Sequence, residues 1–326
     1  MLGVLQGDGL IIHHWDADGL CSAALLLDYL KPRGPANMCP TIGAFYLSDE
    51  EIGYARGFDY VIIADMALPE ADVRRLSEVT KVVIFDHHHQ DPIRGVEHFN
   101  PVAHGADAAD YPSCTWVIRE RLRLPLGMHI ALGFIGDREH RIMKNPRFKE
   151  ITEMYLADEG ITFDEALTLV GLIDSGYKVG DKEGVEEAPR LLMGYTKPED
   201  IRNNARWRRN LRLFQDKLTE ILAEPPEDRD GILVKHLDTG YAVISSVTRS
   251  IAWGTGRDTI VVNTGFFPRH DQLYSRSGRR DMQPMIERAR ELGFNAGGKS
   301  DVLGAIVPKE ATETFVEELV TYFKEK

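Results

Sequence analysis

Residues Lys81–His89 read KVVIFDHHH, an apolar run that ends abruptly in one aspartate and three consecutive histidines. Carboxylates and imidazoles are the side chains that hold divalent cations and move protons. The plain reading of one Asp-His pair is a polar loop after a strand. Here three other apolar runs also end in acidic groups: Leu10–His14 before WDADG, Tyr60–Ala64 before Asp65, and His129–Gly136 before Asp137. Continuous apolar runs are the pattern of strands buried on both faces of a parallel sheet, and ligands of open α/β sheets sit beyond the carboxyl ends of the strands. Four such strands would deliver His14, Asp16, Asp18, Asp65, Asp86, His87, His88 and Asp137 to one rim, which outlines a metal site.

His14-x-Asp16-x-Asp18-Gly19 sets three candidate ligands at alternate positions after the first strand. Hard cations such as Mn²⁺ and Mg²⁺ favour carboxylate oxygens, and imidazole shifts the preference toward transition metals. Four aspartates with two or three histidines suit a two-metal site with a bridging carboxylate, whose ions, about 3.5–4 Å apart, activate water and clamp phosphoryl oxygens.

These segments resemble the motifs of DHH-superfamily phosphoesterases, a group that includes RecJ-like nucleases, nanoRNases and family II pyrophosphatases. HHWDADGL resembles the first motif, IIADMA the second, FDHHH the third and GFIGDRE the fourth. His14 stands where RecJ-type members carry Asp; pyrophosphatase- and nanoRNase-type members use His there. The resemblance implies two ions per chain, Mn²⁺ or Mg²⁺. His14, Asp16 and Asp65 would hold one, and Asp18, Asp65, His87 and Asp137 the other, with Asp65 bridging. It also implies that His88 faces the substrate phosphate and that Asp86 orients the histidines. His88, Asp65 and Asp86 are therefore the expected catalytic residues. His89 lies outside the motif, and His13, on the opposite face of its strand from His14, is read as structural.

The elements that must position these groups begin as βαβ. A helix over Leu20–Leu30 is stopped by Lys31-Pro32, a second strand is expected over Thr41–Leu47, and a helix over Pro69–Val79 precedes Lys81–Phe85. The Gly-, Ala- and Asp-rich loop Asn100–Pro112 has a length that usually carries function. His104 in that loop and Arg138, directly after a predicted ligand, are expected phosphate contacts. Ser113 is an N-cap for a helix over Ser113–Arg123. Helices follow over Pro146–Asp158, Thr162–Ser175 (with a Thr162/Glu165 capping box) and Ala188–Met193. A long basic helix over Asp200–Leu222 then runs to Glu224-Pro225-Pro226. The basic helix is read first as a solvated linker with acidic neighbours, and second as a positive wall with Trp207 as a stacking surface. Strands over Ile232–His236, Tyr241–Ser246, Thr259–Thr264, Tyr274–Ser277 and Val302–Val307 join helices over Met282–Leu292 and Glu310–Lys324. The expected fold is α/β. A parallel-sheet DHH domain (1–195) precedes a basic linker helix (196–228) and a smaller DHH-associated α/β domain (229–326), with the active site in the cleft between the domains.

Gly293-x-x-x-x-Gly298-Lys299-Ser300 matches a Walker A pattern literally, but a P-loop needs a strand before it and a helix after it, and the reverse order is expected here. The resemblance implies instead the glycine-rich substrate loop of the DHH-associated domain, which grips a nucleotide with the help of Arg276-Ser277. That loop usually runs GGGH. Here Gly297, Gly298 and Lys299 occupy it, with Lys299 where histidine is usual. Lysine binds phosphate as a point charge, without histidine's stacking or neutral hydrogen bond.

The 326 residues suffice for two domains. A hydrophobic content of 43% and a charged content of 28% are ordinary for a globular protein. No apolar stretch reaches the ~18–20 residues of a membrane span. MLGVLQGDGLII lacks the basic start and cleavage site of a signal peptide. Cys21, Cys39 and Cys114 form no CxxC pair, and reduced thiols in a cytoplasmic protein account for them. A net charge of −12 argues against broad binding to duplex nucleic acid. The reading is a two-metal phosphodiesterase for short single-stranded oligonucleotides, of exonuclease or nanoRNase type. Its rivals are hydrolysis of a small nucleotide (a cyclic dinucleotide or pAp) or of polyphosphate, and a non-catalytic, replication-associated binding module. The module is disfavoured because every ligand position holds a competent residue. Beyond substrate, the associations left open are a homodimer and a replication or repair partner.

Overall fold

The computed structural model describes residues 5–325; the first four residues of MLGVLQGDGLII, on which the expectation of no signal peptide partly rests, lie outside the described residues. The chain divides into two compact units, Met1–Tyr177 with Asp181–Leu211, and Lys178–Gly180 with Arg212–Lys326. The order in the first is β1 (Gly9–His13), α1 (Ala17–Tyr29), β2 (Ala36–Met38), α2 (Asp49–Ala55), β3 (Tyr60–Ala64), α3 (Glu70–Ser77), β4 (Lys81–Phe85), β5 (Glu97–Phe99), α4 (Cys114–Leu122), α5 (Met128–Arg138), α6 (Pro146–Glu159) and α7 (Phe163–Ile173). Helices α8 (Ser175–Lys178), α9 (Lys182–Gly194), α10 (Pro198–Arg202) and α11 (Ala205–Ala223) follow.

The first sheet is wholly parallel, in the order β2-β1-β3-β4-β5. β1 and β3 are buried along their whole length, and β4 at all but Lys81, which explains their unbroken apolar sequences. The register is level: His13 lies beside Ala64, and Ala64 beside Phe85. The residues that follow, His14, Asp65 and Asp86, therefore leave the sheet side by side. Between β1 and β3 the order of connection reverses, the switch point where α/β sheets open a ligand crevice.

Three expectations fail here. His129–Gly136 is not a strand: it lies within α5, packed against α1, α4 and α7. A helix buried on all sides has the same continuous apolar run as a central strand, and only its length separates them. Thr41–Leu47 is a turn and loop, and the second strand is Ala36–Met38. The basic helix is broken at Asn203–Asn204, where the Asn204 carboxamide oxygen accepts from the Trp207 amide. Trp207 is buried against Tyr195 and offers no stacking surface. Arg206 is held by Asp181, Glu183 and Glu187, so part of the basic character is neutralised locally.

The second unit contains β6 (Glu227–Arg229), β7 (Ile232–Leu237), α12 (Ile244–Thr255), β8 (Thr259–Asn263), β9 (His270–Arg276), α13 (Gln283–Glu291), β10 (Asn295–Lys299), β11 (Val302–Pro308) and α14 (Thr312–Lys324). Its sheet runs β10-β11-β9-β8-β7-β6, with only β7 and β8 parallel, joined by the crossover helix α12. The strand expected over Tyr241–Ser246 is instead the approach to α12 and its first turn. Val243, Val247 and Ile251 are buried in one apolar cluster, a helical spacing that overrides the short alternation. The glycine-rich stretch is an edge strand, β10, in a hairpin with β11, preceded by α13. The Walker A reading is thereby excluded.

α5 approaches the rim through Gly133. A Cβ there would stand 2.2 Å from Thr115 Oγ1 and 2.6 Å from Asp18 Oδ1, both in buried residues. Gly133→Ala gains about 1 kcal/mol of helix propensity but overpacks a filled core, at a cost of about 1–3 kcal/mol. Urea unfolding of the variant is expected to show net destabilisation.

A candidate metal centre

Each ligand-type residue is placed by a short local device. The His14 amide donates to Ala64 O (3.2 Å), tying the end of β1 to β3. Asp16 is the N-cap of α1, its Oδ1 accepting from the Gly19 amide at 3.1 Å, while Asp174 accepts from the Ala17 amide at 2.9 Å. Gly19 is required: a Cβ there would meet the His14 carbonyl oxygen at 2.6 Å. Asp18 accepts from the amides of Cys114 (2.6 Å) and Thr115 (3.0 Å) at the start of α4, where the helix dipole favours an anion. Asp65 adopts the left-handed region, with φ of 63°, an uncommon conformation for a residue other than glycine. That turns its carboxylate back over the rim.

The side chains converge. His87 Nε2 lies 3.4 Å from Asp65 Oδ1, 3.9 Å from Asp18 Oδ2 and 4.0 Å from Asp137 Oδ2. His14 Nδ1 lies 2.9 Å from Asp16 Oδ1, outside hydrogen-bonding geometry, and 3.9 Å from Asp65 Oδ2. Two groups each gather their ligand atoms within 4.8 Å: His14, Asp16 and Asp65, and Asp65, His87 and His88. Asp65 belongs to both. His14 Nδ1, Asp65 Oδ1 and His87 Nε2 are buried without a hydrogen-bond partner, a loss of about 1–3 kcal/mol for each such atom. Buried, unpaired oxygen and nitrogen donors crowded together fit a divalent cation, which would satisfy them and their negative charge at once.

The charge pattern agrees. Burial, followed by Asp18, Asp16, Asp86 and Asp137, pushes the Asp65 carboxyl well above the usual range. Burial also pushes Asp18 up, helped by Asp137 and Asp16 against the pull of His87. Asp16 goes the other way: burial opposes its charge, but His14, the Gly19 amide and His88 hold it below the usual range. Burial likewise opposes ionisation of Asp86, yet His88, His87 and the His87 amide hold its carboxyl down. Asp86 Oδ1 accepts from His88 Nδ1 at 2.7 Å and from the His87 amide at 2.8 Å. Although the His88 ring is partly open to solvent and desolvation works against its charge, Asp86 raises it from 6.5 to about 9. Burial draws His13 down to about 4, so it is neutral, fully enclosed and apart from the cluster.

Other expected residues lie elsewhere. His89 is exposed. His104 is exposed on a 3₁₀ turn and lines a surface pocket of about 330 Å³ with His98, Phe99, Glu120 and Arg121, outside the two ligand groups. Arg138 stands 3.5 Å from Asp137 but spends its guanidinium on the carbonyls of Pro112 and Ala108. In the second unit, Lys299 opposes Val302, which opposes Arg276, so all three lie in one cross-strand row. Arg276 pairs with Asp301. Ser277 donates to the buried Asp258 at 2.8 Å. Gly298, with φ of 156°, brings its backbone so close to Val302 O that a Cβ would stand 2.0 Å away. Sequence reasoning missed Asn100, which donates to His88 O at 2.9 Å, and Gln90, which donates to Asp86 Oδ2 at 3.1 Å. It also missed Asp174, although Asp174 follows an apolar run just as the predicted ligands do.

Residues 9–157 match the model of the DHH family, N-terminal domain. They form a DHH-family domain. Among solved structures, RecJ of Thermus thermophilus in complex with Mn²⁺ is similar at 19% identity and a TM-score of 0.65, over 97% of this chain and 52% of that one. The chain thus spans about half the length of that RecJ. A manganese-bound exonuclease RecJ is similar at 19% identity and 0.61, over 97% and 90%. The pGpG-specific phosphodiesterase PggH of Vibrio cholerae is similar at 15% and 0.50, over 96% and 98%. At these identities the likeness is one of fold, and it extends beyond the DHH domain to nearly the whole chain. No curated protein matches the chain in sequence.

In protein stripped of divalent cations, NMR titration should find the His88 imidazole near pH 9, falling toward 6.5 in Asp86→Asn. Because the native value lies above the unfolded one, the pair's contribution to stability is fully present below pH 6.5 and is lost as the pH rises through about 9. A separate test concerns Asp65. Asp65→Asn removes a buried carboxylate among like charges and is expected to raise the melting temperature of stripped protein at pH 7. It should also abolish stabilisation by Mn²⁺, which for a native-only ligand at 100 times Kd is about 2.7 kcal/mol.

Proposed function

We propose that the chain is a divalent-metal-dependent phosphodiesterase that hydrolyses short single-stranded oligonucleotides. The observation that carries this reading is the pair of ligand groups sharing Asp65 at the carboxyl rim of the sheet. His14, Asp16 and Asp65 would hold one cation, and Asp65, His87, Asp18 and Asp137 a second, with Mn²⁺ or Mg²⁺ suited to this oxygen-rich set. Bound there, the ions would supply Lewis-acid polarisation of the phosphoryl group and activation of water.

The chain's own residues do the rest. His88, held through Nδ1 by Asp86, keeps its Nε2 proton for a phosphoryl or leaving oxygen. Gln90 and Asn100 fix Asp86 and the His88 backbone, so the ring needs little reorganisation. In the second unit, the row containing Arg276 and Lys299 would offer positive charge to a phosphate, and the Gly297-Gly298 backbone would offer a surface without side chains. The net charge of −12 favours short substrates held by a few local contacts over duplex nucleic acid.

A second reading, a phosphodiesterase for a small nucleotide, is favoured by the likeness to PggH, which spans nearly the full length of both chains. Mn²⁺-dependent turnover of end-labelled RNA and DNA oligomers, from two to about twenty nucleotides, separates the two. Ladders that shorten to mononucleotides support the first reading, and cleavage of dinucleotides alone supports the second. Asp65→Asn and His87→Ala should each lose at least ~100-fold in turnover, the upper end for loss of a mere outer partner of a metal ligand, with an unchanged circular dichroism spectrum. Full turnover in either variant would overturn the assignment.

A further inference from the structure

The loop between β2 and α2 carries two adjacent aromatic residues at the edge of the metal centre. Its Ile42, Ala44 and Leu47 are buried, whereas Phe45 is 48% and Tyr46 45% exposed. The loop is pinned on both sides of this pair: the Thr41 amide donates to Glu51 at 2.8 Å, and the Leu47 amide to Asp72 at 3.0 Å. Phe45 is not merely stranded in solvent. Its ring lies stacked 5.9 Å from the His14 ring and edge-on 5.2 Å from Trp15, which itself packs 4.2 Å from His14. A half-exposed aromatic ring is thus fixed, on a braced loop, against a residue of the first ligand group. Tyr46, equally exposed, makes no ring contact with His14 or Trp15 among the described residues.

We infer that Phe45 is the stacking surface for the nucleobase attached to the phosphate held at this centre. The inference rests on the phosphodiesterase reading and deepens it. A nucleotide brings a planar π face alongside its phosphate, and carboxylates with cations beside an apolar ring form the matching pair of surfaces. Stacking tolerates every base, because each has a π face, so Phe45 would confer a preference for nucleotides over other phosphoesters without strong base selectivity.

The probe is 2-aminopurine riboside 5′-monophosphate, which has no phosphodiester to cleave and whose fluorescence is quenched on stacking. It is titrated into the full chain with Mg²⁺. Phe45→Ala should weaken binding by about 5- to 150-fold, the span for one stacked base, and remove the quenching. Phe45→Trp should keep both, and Tyr46→Ala should resemble the parent. Ribose 5-phosphate, which lacks the base, should compete equally well in the parent and in Phe45→Ala. The inference is overturned by no quenching in the parent, by equal affinity in Phe45→Ala, or by equal losses for ribose 5-phosphate, which would mark Phe45 as a prop for His14. Oligomer turnover is scored separately. Base-dependent binding without cleavage of any oligomer would fail the phosphodiesterase reading and leave Phe45 as a base platform. Cleavage unaffected by Phe45→Ala, with equal affinity for the probe, would do the reverse.

Discussion

Like charges resist being packed together, and this rim packs five carboxylates, those of Asp16, Asp18, Asp65, Asp86 and Asp137, around three histidines. Burial and mutual repulsion drive the Asp65 carboxyl well above its ordinary range. What holds such a group in place is the stiffness of three central strands in level register. His13, Ala64 and Phe85 stand side by side, so the next residue of each strand has nowhere to go but the same rim. Backbone amides of α4 then clamp Asp18, and a positive-φ turn aims Asp65. The arrangement trades local stability for a concentrated demand for positive charge.

Much of the DHH domain was legible because buried parallel strands announce themselves. Leu10–His14, Tyr60–Ala64 and Lys81–Phe85 are almost wholly apolar between their ends and carry no competing period. The grouping of His14, Asp16, Asp65 and His87 followed from those strand ends alone. Asp137 was placed near the centre for a mistaken reason. Its apolar run is a helix, yet a helix C-terminus packed on α1 reaches the same rim as a strand end would. Burial on all sides erases the difference between periods of two and 3.6, and no local signal in HIALGFIG restores it.

The losses elsewhere have other physical causes. Trp207 looked like a stacking surface because arginines surround it in sequence, but in α11 its neighbours three and four positions away decide its environment, and it turns inward. The GGKS stretch reads as a loop because its glycines resemble the substrate loop of DHH-associated domains, and glycine is a poor strand former. At a sheet edge, with a backbone approach that excludes a Cβ at Gly298, the absence of side chains is what lets β10 pair. Phe45 was invisible because its partners, His14 and Trp15, lie far earlier in the chain in a different element, and no spacing rule joins them.

The ligand positions from 14 to 137 have a consequence for how the protein folds. Parallel pairing of β1 with β3 and of β3 with β4 demands crossovers, so the contacts that build the rim are long-range, and such contacts form slowly because loop closure precedes any gain from packing. No fragment ending before α5 contains the whole set of ligands. A cation bound by the proposed ligands would therefore find its full coordination only after the topology is complete. Its influence would fall mainly on the rate at which the native chain opens, and little on the rate at which the disordered chain closes.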